Sequence, residues 1–182
     1  SQLLPKTLTV ISVRLNYFPQ KENTLEILQD KNQAYISRYT LGRDYHKVIR
    51  GKLKKLSQRL KEELKDVSFD SRVFTDSAPV MEVELAEKAG LGWRGKHTLL
   101  LNKDNGSWFF LGEIYTSLPL VVDKKQSNHC GTCSACIDVC PTKAIIAPYK
   151  LDSNRCISYL TIEFKGSIPI EFRKPIGNRI YG

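Results

Sequence analysis

Apolar residues recur along the first part of the chain with two spacings, and each spacing predicts a type of element. The stretch Thr7–Leu15 is short and rich in β-branched residues, which predicts a buried strand. From Asp44 onward apolar residues follow helical spacing and basic residues fill the positions between them, which predicts a long amphipathic helix. The apolar positions of that helix are Ile49, Leu53, Leu56, Leu60 and Leu64.

The next segment predicts a strand, a turn and a helix in succession. Ser71–Phe74 has strand character, and Asp76–Pro79 has turn composition. Met81–Lys88 has helical character and is followed by Gly90, a residue typical of helix ends. The end of a strand that leads into a helix is where α/β proteins often place functional side chains.

Two further strands and a change of composition complete the pattern. We predict strands at Thr98–Leu101 and Trp108–Ile114, joined through Lys103–Gly106, whose Asn-Gly pair indicates a turn. Mixed helices and strands predict an α/β or α+β core. The polar stretch after Val122 marks a boundary, so we expect a core in residues 1–122 and a smaller module in 123–182.

Composition limits the class of protein. The 182 residues are 41% hydrophobic, enough for one core of ordinary size. No stretch has the roughly 20 apolar residues of a membrane span, and no secretory leader precedes Leu8. We therefore expect a soluble, cytoplasmic protein without a membrane partner. The apolar start and the end at Gly182 suggest that the chain is a piece of a longer one.

Positive charge is concentrated in one segment. The chain has a formal net charge of +9, which favours a polyanionic partner such as nucleic acid. Between Leu41 and Lys65 there are nine basic residues and three acidic ones. Such a segment either contacts phosphates or is a solvated helix face. Arg173, Lys174 and Arg179 could add to the same surface.

Four of the five cysteines form a metal-binding pattern. They fit C-x2-C-x2-C-x3-C-P, and the pattern consists of Cys130, Cys133, Cys136, Cys140 and Pro141. This spacing indicates a [4Fe–4S] cluster held by the first three thiolates, while the fourth thiolate is free to ligate another cluster. A zinc site is the alternative, but tetrahedral zinc requires neither a fourth cysteine at this offset nor the proline.

The fifth cysteine and the total count bear on a second cluster. Cys156 is either an inert buried thiol or a ligand, and we favour the ligand because Cys140 needs partners. Two [4Fe–4S] clusters need eight thiolates, and the chain has five. We therefore expect the other ligands to follow Gly182.

Five segments outside the cysteine run carry further motifs: Phe74–Glu82, Ala89–His97, Gly106–Glu113, Arg155–Glu163 and Gly177–Gly182. Together they resemble one enzyme family, the epoxyqueuosine reductases. The resemblance extends from about Thr7 to Gly182.

This resemblance implies a function, cofactors and partners. The family reduces epoxyqueuosine to queuosine at the tRNA wobble position, using cobalamin and two [4Fe–4S] clusters. It implies a corrinoid-binding α/β core related to reductive dehalogenases, followed by a ferredoxin-like module. Cys130, Cys133 and Cys136 would bind one cluster, and Cys140 and Cys156 the other. We expect the anticodon region of tRNA as partner, an external electron donor that the sequence does not identify, and a monomer.

The resemblance also implies roles for individual side chains. Asp76 would be the proton donor and would also contact the corrin, although by itself an aspartate here more often caps a helix or orders a turn. His97 would be a cobalt ligand, a donor to the corrin or a structural histidine, and we rank the last two first. The further corrin-lining candidates are Tyr39, Leu100, Leu111 and Ser158.

Three other functions remain open from the sequence alone. A ferredoxin-like electron carrier would explain the cysteines but not the Asp76 and Gly90–His97 motifs. A corrinoid reductive dehalogenase would share the cofactors, but the basic segment disfavours a small organohalide substrate. The third is an RNA-binding module with a structural cluster.

Overall fold

A computed structural model describes residues 2–18 and 24–182. Their α-helices are α1 (Thr24–Gln29), α2 (Tyr45–Glu63), α3 (Glu82–Lys88), α4 (Ala135–Asp138) and α5 (Ile170–Ile176). Their strands are β1 (Thr9–Asn16), β2 (Tyr35–Ile36), β3 (Ser71–Phe74), β4 (Trp93–Arg94), β5 (Leu100–Leu101), β6 (Phe109–Thr116), β7 (Ile145–Ala147), β8 (Lys150–Leu151) and β9 (Arg179–Tyr181).

The chain divides into two compact units, and each is discontinuous in sequence. The first consists of Ser1–Tyr17, Arg43–Arg94 and Leu100–His129. The second consists of Phe18–Gly42, Gly95–Leu99 and Cys130–Gly182. The mixed α and β character predicted from the sequence is confirmed. None of the helices in the described ranges is both long and apolar enough to cross a membrane.

An antiparallel sheet with the order β1-β6-β3 organises the first unit. Side chains alternate between the two faces of a sheet, so each face can build its own core. On one face Ile114 packs against Ile49 and Leu53 of α2. Gly112 makes this approach possible, because a Cβ there would lie 2.9 Å from a Leu53 methyl group. The register Ser12↔Glu113↔Phe74 places all three residues on the other face.

Helix α3 and strand β5 supply the second core of this unit. Ala86 of α3 is buried together with Leu100 and Phe109, and Leu111 packs against them. The predicted turn at Lys103–Gly106 is present as a bridge between Asn102 and Gly106. Strand β5 itself pairs with β4, a strand that the sequence pattern did not predict. Both edges of β6 are occupied by β1 and β3, so β6 has no free edge for β5.

The predicted elements of the first unit agree closely with those observed. Helix α2 begins after Asp44, whose side chain accepts from the His46 N–H as an N-cap. Strand β3 has the predicted bounds, and α3 begins one residue after the predicted start. Strand β1 is shifted by one or two residues towards Asn16.

The second unit contains the cysteine run and short elements. Strands β2 and β9 pair in parallel, and β7 pairs with β8 in an antiparallel hairpin. The Asn178 amide donates to the carbonyls of Ile27, Asp30 and Gln33, which joins residues far apart in sequence. After the hairpin come a 3₁₀ turn at Ser153–Arg155, a π-helical turn at Tyr159–Glu163, and α5.

Candidate active site and cysteine run

Asp76 lies in the loop after β3, where two side chains of α2 reach its carboxylate. Its Oδ2 accepts from the Tyr45 hydroxyl at 2.5 Å and lies 2.7 Å from His46 Nε2. The side chain is 53% exposed, so a substrate can approach it. Asp76 has φ 48°, a left-handed conformation that is uncommon for a residue other than glycine. Uncommon backbone of this kind is concentrated at functional sites.

His46 connects Asp76 to a second carboxylate. Its Nδ1 lies 3.0 Å from Asp44 Oδ1, and its Nε2 faces Asp76. A neutral imidazole donates from one nitrogen only, so the ring can donate to both carboxylates only when it carries a second proton. The hydrogen bond from His46 lowers the pKa of Asp44, which keeps that carboxylate charged. The ring of Tyr45 stacks on His46 and on Phe110, and this contact fixes the ring of the histidine.

Two glutamates lie behind the Asp76 loop. The backbone N–H of Asp76 donates to Glu82 Oε1 at 2.6 Å. Glu113, on β6, is completely buried. Burial and the nearby charge of Glu82 raise the pKa of Glu113 to about 8. Helix α3 begins at Glu82, and its N-cap residue Met81 makes no side-chain cap hydrogen bond, so the Asp76 carboxylate is not used as a helix cap.

The other residues predicted to line the cofactor are divided between the units. Leu100 and Leu111 belong to the first unit. Leu100 is only 2% exposed, so its side chain is occupied by the core. Leu111 is half-buried, and its carbonyl accepts from Thr75 Oγ1 at 2.9 Å, directly before Asp76.

Tyr39, His97 and Ser158 belong to the second unit and are half-buried. His97 lies in a tight loop, where its Nδ1 accepts from the Leu99 N–H at 3.1 Å. Burial lowers the pKa of His97, which favours the neutral imidazole. A structural role of His97 and its donation to the corrin both stay predictions.

The cysteine run forms a turn followed by the short helix α4. The Cys133 N–H donates to the Cys130 carbonyl at 2.9 Å, and Gly131 has φ 41°. Lys96 Nζ donates to the carbonyls of Gly131 and Cys133, at 2.7 and 2.8 Å. No local sequence pattern predicts this contact, because Lys96 is 34 residues from Cys130. The lysine stabilises the turn that carries the first two thiols.

All five thiols are free of disulfide bonds. Within ranges 2–18 and 24–182, no three His, Cys, Asp or Glu side chains are arranged so that they could hold a metal ion. Because thiolates repel one another until a metal neutralises them, ligand groups of this kind commonly close only when the metal binds.

The thiol of Cys140 accepts hydrogen bonds from the residues that follow it. Burial raises the pKa of its thiol, but hydrogen bonds from the backbone of Ala144 and Ile145 and from Thr142 outweigh burial and lower the pKa overall. The Ala144 N–H lies 3.3 Å from Cys140 Sγ. Backbone N–H donors to sulfur also tune iron–sulfur clusters, and the ligand role of Cys140 stays a prediction.

Cys156 lies between the 3₁₀ turn and the π-helical turn. Its N–H donates to the Ser153 carbonyl at 3.0 Å, and its carbonyl accepts from the Leu160 N–H at 2.9 Å. The preceding Arg155 donates to the Thr142 carbonyl at 3.1 Å. This contact ties the Cys156 segment to the residues that follow Cys140, so the structure brings the two segments near one another within the second unit.

In comparisons with known proteins, a family model matches each end of the chain. Residues 1–77 match the family model described as epoxyqueuosine reductase QueG, DUF1730. Residues 129–182 match a 4Fe-4S double cluster binding domain. The chain is 57% identical to an epoxyqueuosine reductase of Vibrio cholerae over 182 residues, and 54% identical to that of Escherichia coli over 181 residues. Both alignments include all of this chain, but they include only 49% of the Vibrio cholerae protein and 47% of the Escherichia coli protein.

Solved structures give the same result. A crystal structure of epoxyqueuosine reductase with a tRNA-Tyr epoxyqueuosine-modified stem loop matches with a TM-score of 0.86 at 33% identity. A structure from Bacillus subtilis, described with its catalytic aspartate loop swung out of the active site, matches with a TM-score of 0.85 at 33% identity. Each match covers all of this chain and 47% of the solved one.

Proposed function

Because this chain belongs to the epoxyqueuosine reductase family along its whole length, we propose that it forms the catalytic part of an enzyme that reduces epoxyqueuosine to queuosine in tRNA. One observation supports this most directly: the reductase model and the double-cluster domain match the two ends of one chain. An electron carrier would account only for the second match. The chain spans about half the length of its curated relatives, so the activity belongs to the longer protein.

The proposed reaction converts an epoxide to an alkene. Two carbon–oxygen bonds break, the carbon–carbon double bond forms, and the oxygen leaves as water after gaining two electrons and two protons. The protein must therefore provide a route for electrons and a proton donor beside the oxygen. We assign the first task to the cysteine run of the second unit and the second task to Asp76 in the first unit.

The cysteine ligands are assigned from the spacing and from the environment of the thiols. We propose that Cys130, Cys133 and Cys136 bind one [4Fe–4S] cluster, with the fourth ligand outside these 182 residues. Cys140 and Cys156 would contribute to a second cluster. The lowered pKa of Cys140 and the bond between Arg155 and Thr142 support this pairing. An external electron donor would reduce the clusters, and we expect the enzyme to act as a monomer.

We further infer that the first unit belongs to a corrinoid-binding core of the kind found in reductive dehalogenases. A bound cobalamin would supply a strongly reducing metal centre for the epoxide. Of the predicted lining residues, Asp76 is exposed and Leu111 is half-buried, and the Leu111 carbonyl accepts from Thr75, the residue before Asp76. Tyr39, His97 and Ser158 also retain partial exposure, whereas Leu100 offers a corrin little surface.

Asp76 is supported as proton donor by its hydrogen bonds. His46 Nε2 lies 2.7 Å from Asp76 Oδ2, so a proton on that nitrogen can pass to the carboxylate. The Tyr45 hydroxyl holds the same oxygen in place. Asp44 stabilises the charged ring from its other side. The Bacillus subtilis structure, whose description names a catalytic aspartate loop, supports a loop aspartate in this role.

The proposed activity has a direct test. The full-length protein would be reconstituted anaerobically with iron, sulfide and cobalamin, desalted, and given a chemical reductant and epoxyqueuosine-containing tRNA. We expect corrin absorbance to stay with the protein and queuosine to appear in the digested nucleosides. A protein that keeps its clusters but no corrin would instead be an electron carrier. If the protein released chloride from an added organohalide but formed no queuosine, it would be a dehalogenase.

The exposed side of α2 is the proposed tRNA contact. Its basic side chains are all exposed, and acidic residues occur in α2 only at Glu62 and Glu63, at its end. The exposed basic residues of this segment are Arg43, Lys47, Arg50, Lys52, Lys54, Lys55, Arg59, Lys61 and Lys65. A solved relative was crystallised with a tRNA stem loop, which agrees with a phosphate-binding surface.

We expect the triple variant Lys54→Gln, Lys55→Gln, Arg59→Gln to bind substrate tRNA about tenfold or more weakly. Each lost phosphate contact should reduce the slope of log affinity against log salt by about 1. Glutamine is a good helix former, so α2 should persist. Fluorescence anisotropy with a labelled stem loop at several salt concentrations measures both quantities.

The matched control removes the same charge elsewhere, as Lys6→Gln, Lys103→Gln, Lys165→Gln, all at exposed positions. Equal losses of affinity in the two triple variants would mean that only net charge matters. The specific contact of α2 would then be rejected.

A further inference from the structure

Glu113 is an ionisable residue at the centre of the first unit that the proposed chemistry does not use. It lies on β6, the middle strand of the sheet, and is 0% exposed. Among the described residues, no N–H or O–H group donates a hydrogen bond to either of its carboxylate oxygens. A buried carboxylate without a partner is costly, so this side chain must be neutral or share a proton.

No cation neutralises Glu113 from the elements packed against it. Ser12 of β1 and Phe74 of β3 are its direct cross-strand neighbours. Tyr115 lies two residues along β6, and burial together with the charge of Glu113 raises the pKa of that phenol. From α3, the group that faces it is Glu82, another acid.

The two arginines on this face of the sheet are occupied elsewhere. Arg14 of β1 lies over the Phe109 ring. Arg72 of β3 lies over the Phe74 ring and donates to the Leu3 carbonyl at 2.7 Å. Asp76 of the loop and His46 of α2 act on Glu82. Glu113 is left with Glu82 as its only ionisable partner among these groups.

Two ionised carboxylates are both acceptors and cannot bond to each other. If one of them keeps its proton, however, it becomes a donor and the pair forms one strong O–H···O bond. Burial raises the pKa of both carboxyls, and each of the two side chains also shifts the pKa of the other, so Glu82 and Glu113 interact. Glu113 is the more buried of the two and keeps the proton, because burial penalises its charged form most.

Glu82 also contacts the backbone of the Asp76 loop. Its Oε1 accepts from the Asp76 N–H at 2.6 Å, a short bond to a charged acceptor. That N–H belongs to a residue with φ 48°, a conformation that needs such support. A continuous chain of bonds therefore extends from the buried strand to the loop: Glu113, Glu82, and the Asp76 backbone.

We propose that Glu113 is a positioning residue for Asp76: its carboxylic acid donates to Glu82, and the Glu82 carboxylate then holds the Asp76 N–H and the left-handed backbone of the loop. The relevance to catalysis rests on the proposed function, in which Asp76 gives a proton to the substrate. Glu113 touches neither Asp76 nor the substrate. It acts through Glu82.

This arrangement makes the loop sensitive to alkaline pH. Glu113 remains protonated until the pH passes about 8, and above that the pair carries two buried negative charges. The folded-state pKa is raised above the ordinary value of 4.5, so the folded unit loses stability as the pH rises from about 4.5 to about 8, where Glu113 gives up its proton in the folded state as well. The side chain of Glu82 would then turn away from Glu113 and release the Asp76 N–H.

The test compares the wild-type holoenzyme with Glu113→Gln. Wild-type kcat should fall about tenfold between pH 7 and pH 9, as the fraction of protonated Glu113 falls. A glutamine amide donates to Glu82 at every pH, so Glu113→Gln should keep near wild-type kcat at pH 7 and lose this alkaline decline. Glu84→Gln, a matched change on α3, should retain the wild-type profile. KM for tRNA should be unchanged in all three.

Hydrogen exchange followed by mass spectrometry gives a second measurement that does not need turnover. After correction for the intrinsic rate, protection of the Asp76 amide should decrease through about pH 8 in the wild type and stay constant in Glu113→Gln. The same alkaline decline in both proteins, or constant protection of the amide in the wild type, would overturn the proposal. If the wild type shows the exchange transition but makes no queuosine, the proposed function fails and the positioning of Asp76 stands.

Discussion

Replacing Asp76 by Asn should reduce kcat for queuosine formation by about 10²–10⁴-fold, the usual contribution of a positioned general acid. Asparagine has nearly the same size and can accept the Tyr45 hydroxyl through its carbonyl oxygen, so the loop should keep its place. The amide cannot release a proton to the departing oxygen. The change therefore removes the chemistry and leaves the hydrogen-bond geometry nearly intact.

The measurement is single-turnover formation of queuosine by the reconstituted enzyme, with corrin absorbance and iron content determined on the same sample. The corrin content and the iron content should both equal those of the wild type. A loss of turnover is then due to the missing proton donor and not to a missing cofactor. Asp66→Asn changes an exposed aspartate in the same unit and should behave as wild type. Full turnover in Asp76→Asn would show that another group protonates the substrate.

Local patterns predicted the framework around Asp76 well. The helical spacing from Ile49 to Leu64 predicted α2, since the pattern of a surface helix records which side faces the core. Strand β3 and helix α3 were predicted within one residue because turn residues separate them. The cysteine spacing predicted a cluster module for a similar reason: its ligands are close in sequence.

The contacts that give the site its chemistry could not be predicted in this way. His46 and Asp76 are 30 residues apart, and Glu113 follows Glu82 by 31 residues, so no local pattern connects them. Their proximity depends on β6 being the central strand of the sheet. The sequence pattern also predicted nothing of β4, which has only two residues. These contacts and the short strand depend on pairing between strands that are distant in sequence, and the spacing of apolar residues along the chain does not reveal such pairing.

A common principle links the acid site and the cysteine run. In each, backbone N–H groups stabilise a negative charge: Asp76 N–H on Glu82, and Ala144 N–H on Cys140. Backbone donors are fixed by the fold and need no side-chain rearrangement, so they can prepare a site before its ligand arrives. The backbone donors to Glu82 and Cys140 are therefore in place before a substrate or a cluster binds.

The assignment of the thiols to two clusters predicts a large loss of iron from single substitutions. Cys136→Ser in the full-length protein should lower the iron content from about eight atoms to about four, because one cubane needs four ligands. Cys156→Ser should lower it to about four as well, by removing a ligand of the other cluster. Iron and sulfide analysis after anaerobic reconstitution measures both changes.

The double variant decides whether the two cysteines serve separate clusters. If they do, Cys136→Ser with Cys156→Ser should retain almost no iron, since each substitution removes a different cubane. If both thiols served one cluster, the double variant would keep about four irons, like either single variant. If Cys156→Ser kept about eight, Cys156 would be an inert thiol and the pairing with Cys140 would be rejected. Ser134→Ala, a change inside the run that leaves all five thiols, should keep the full content and controls for damage to the turn that Lys96 stabilises.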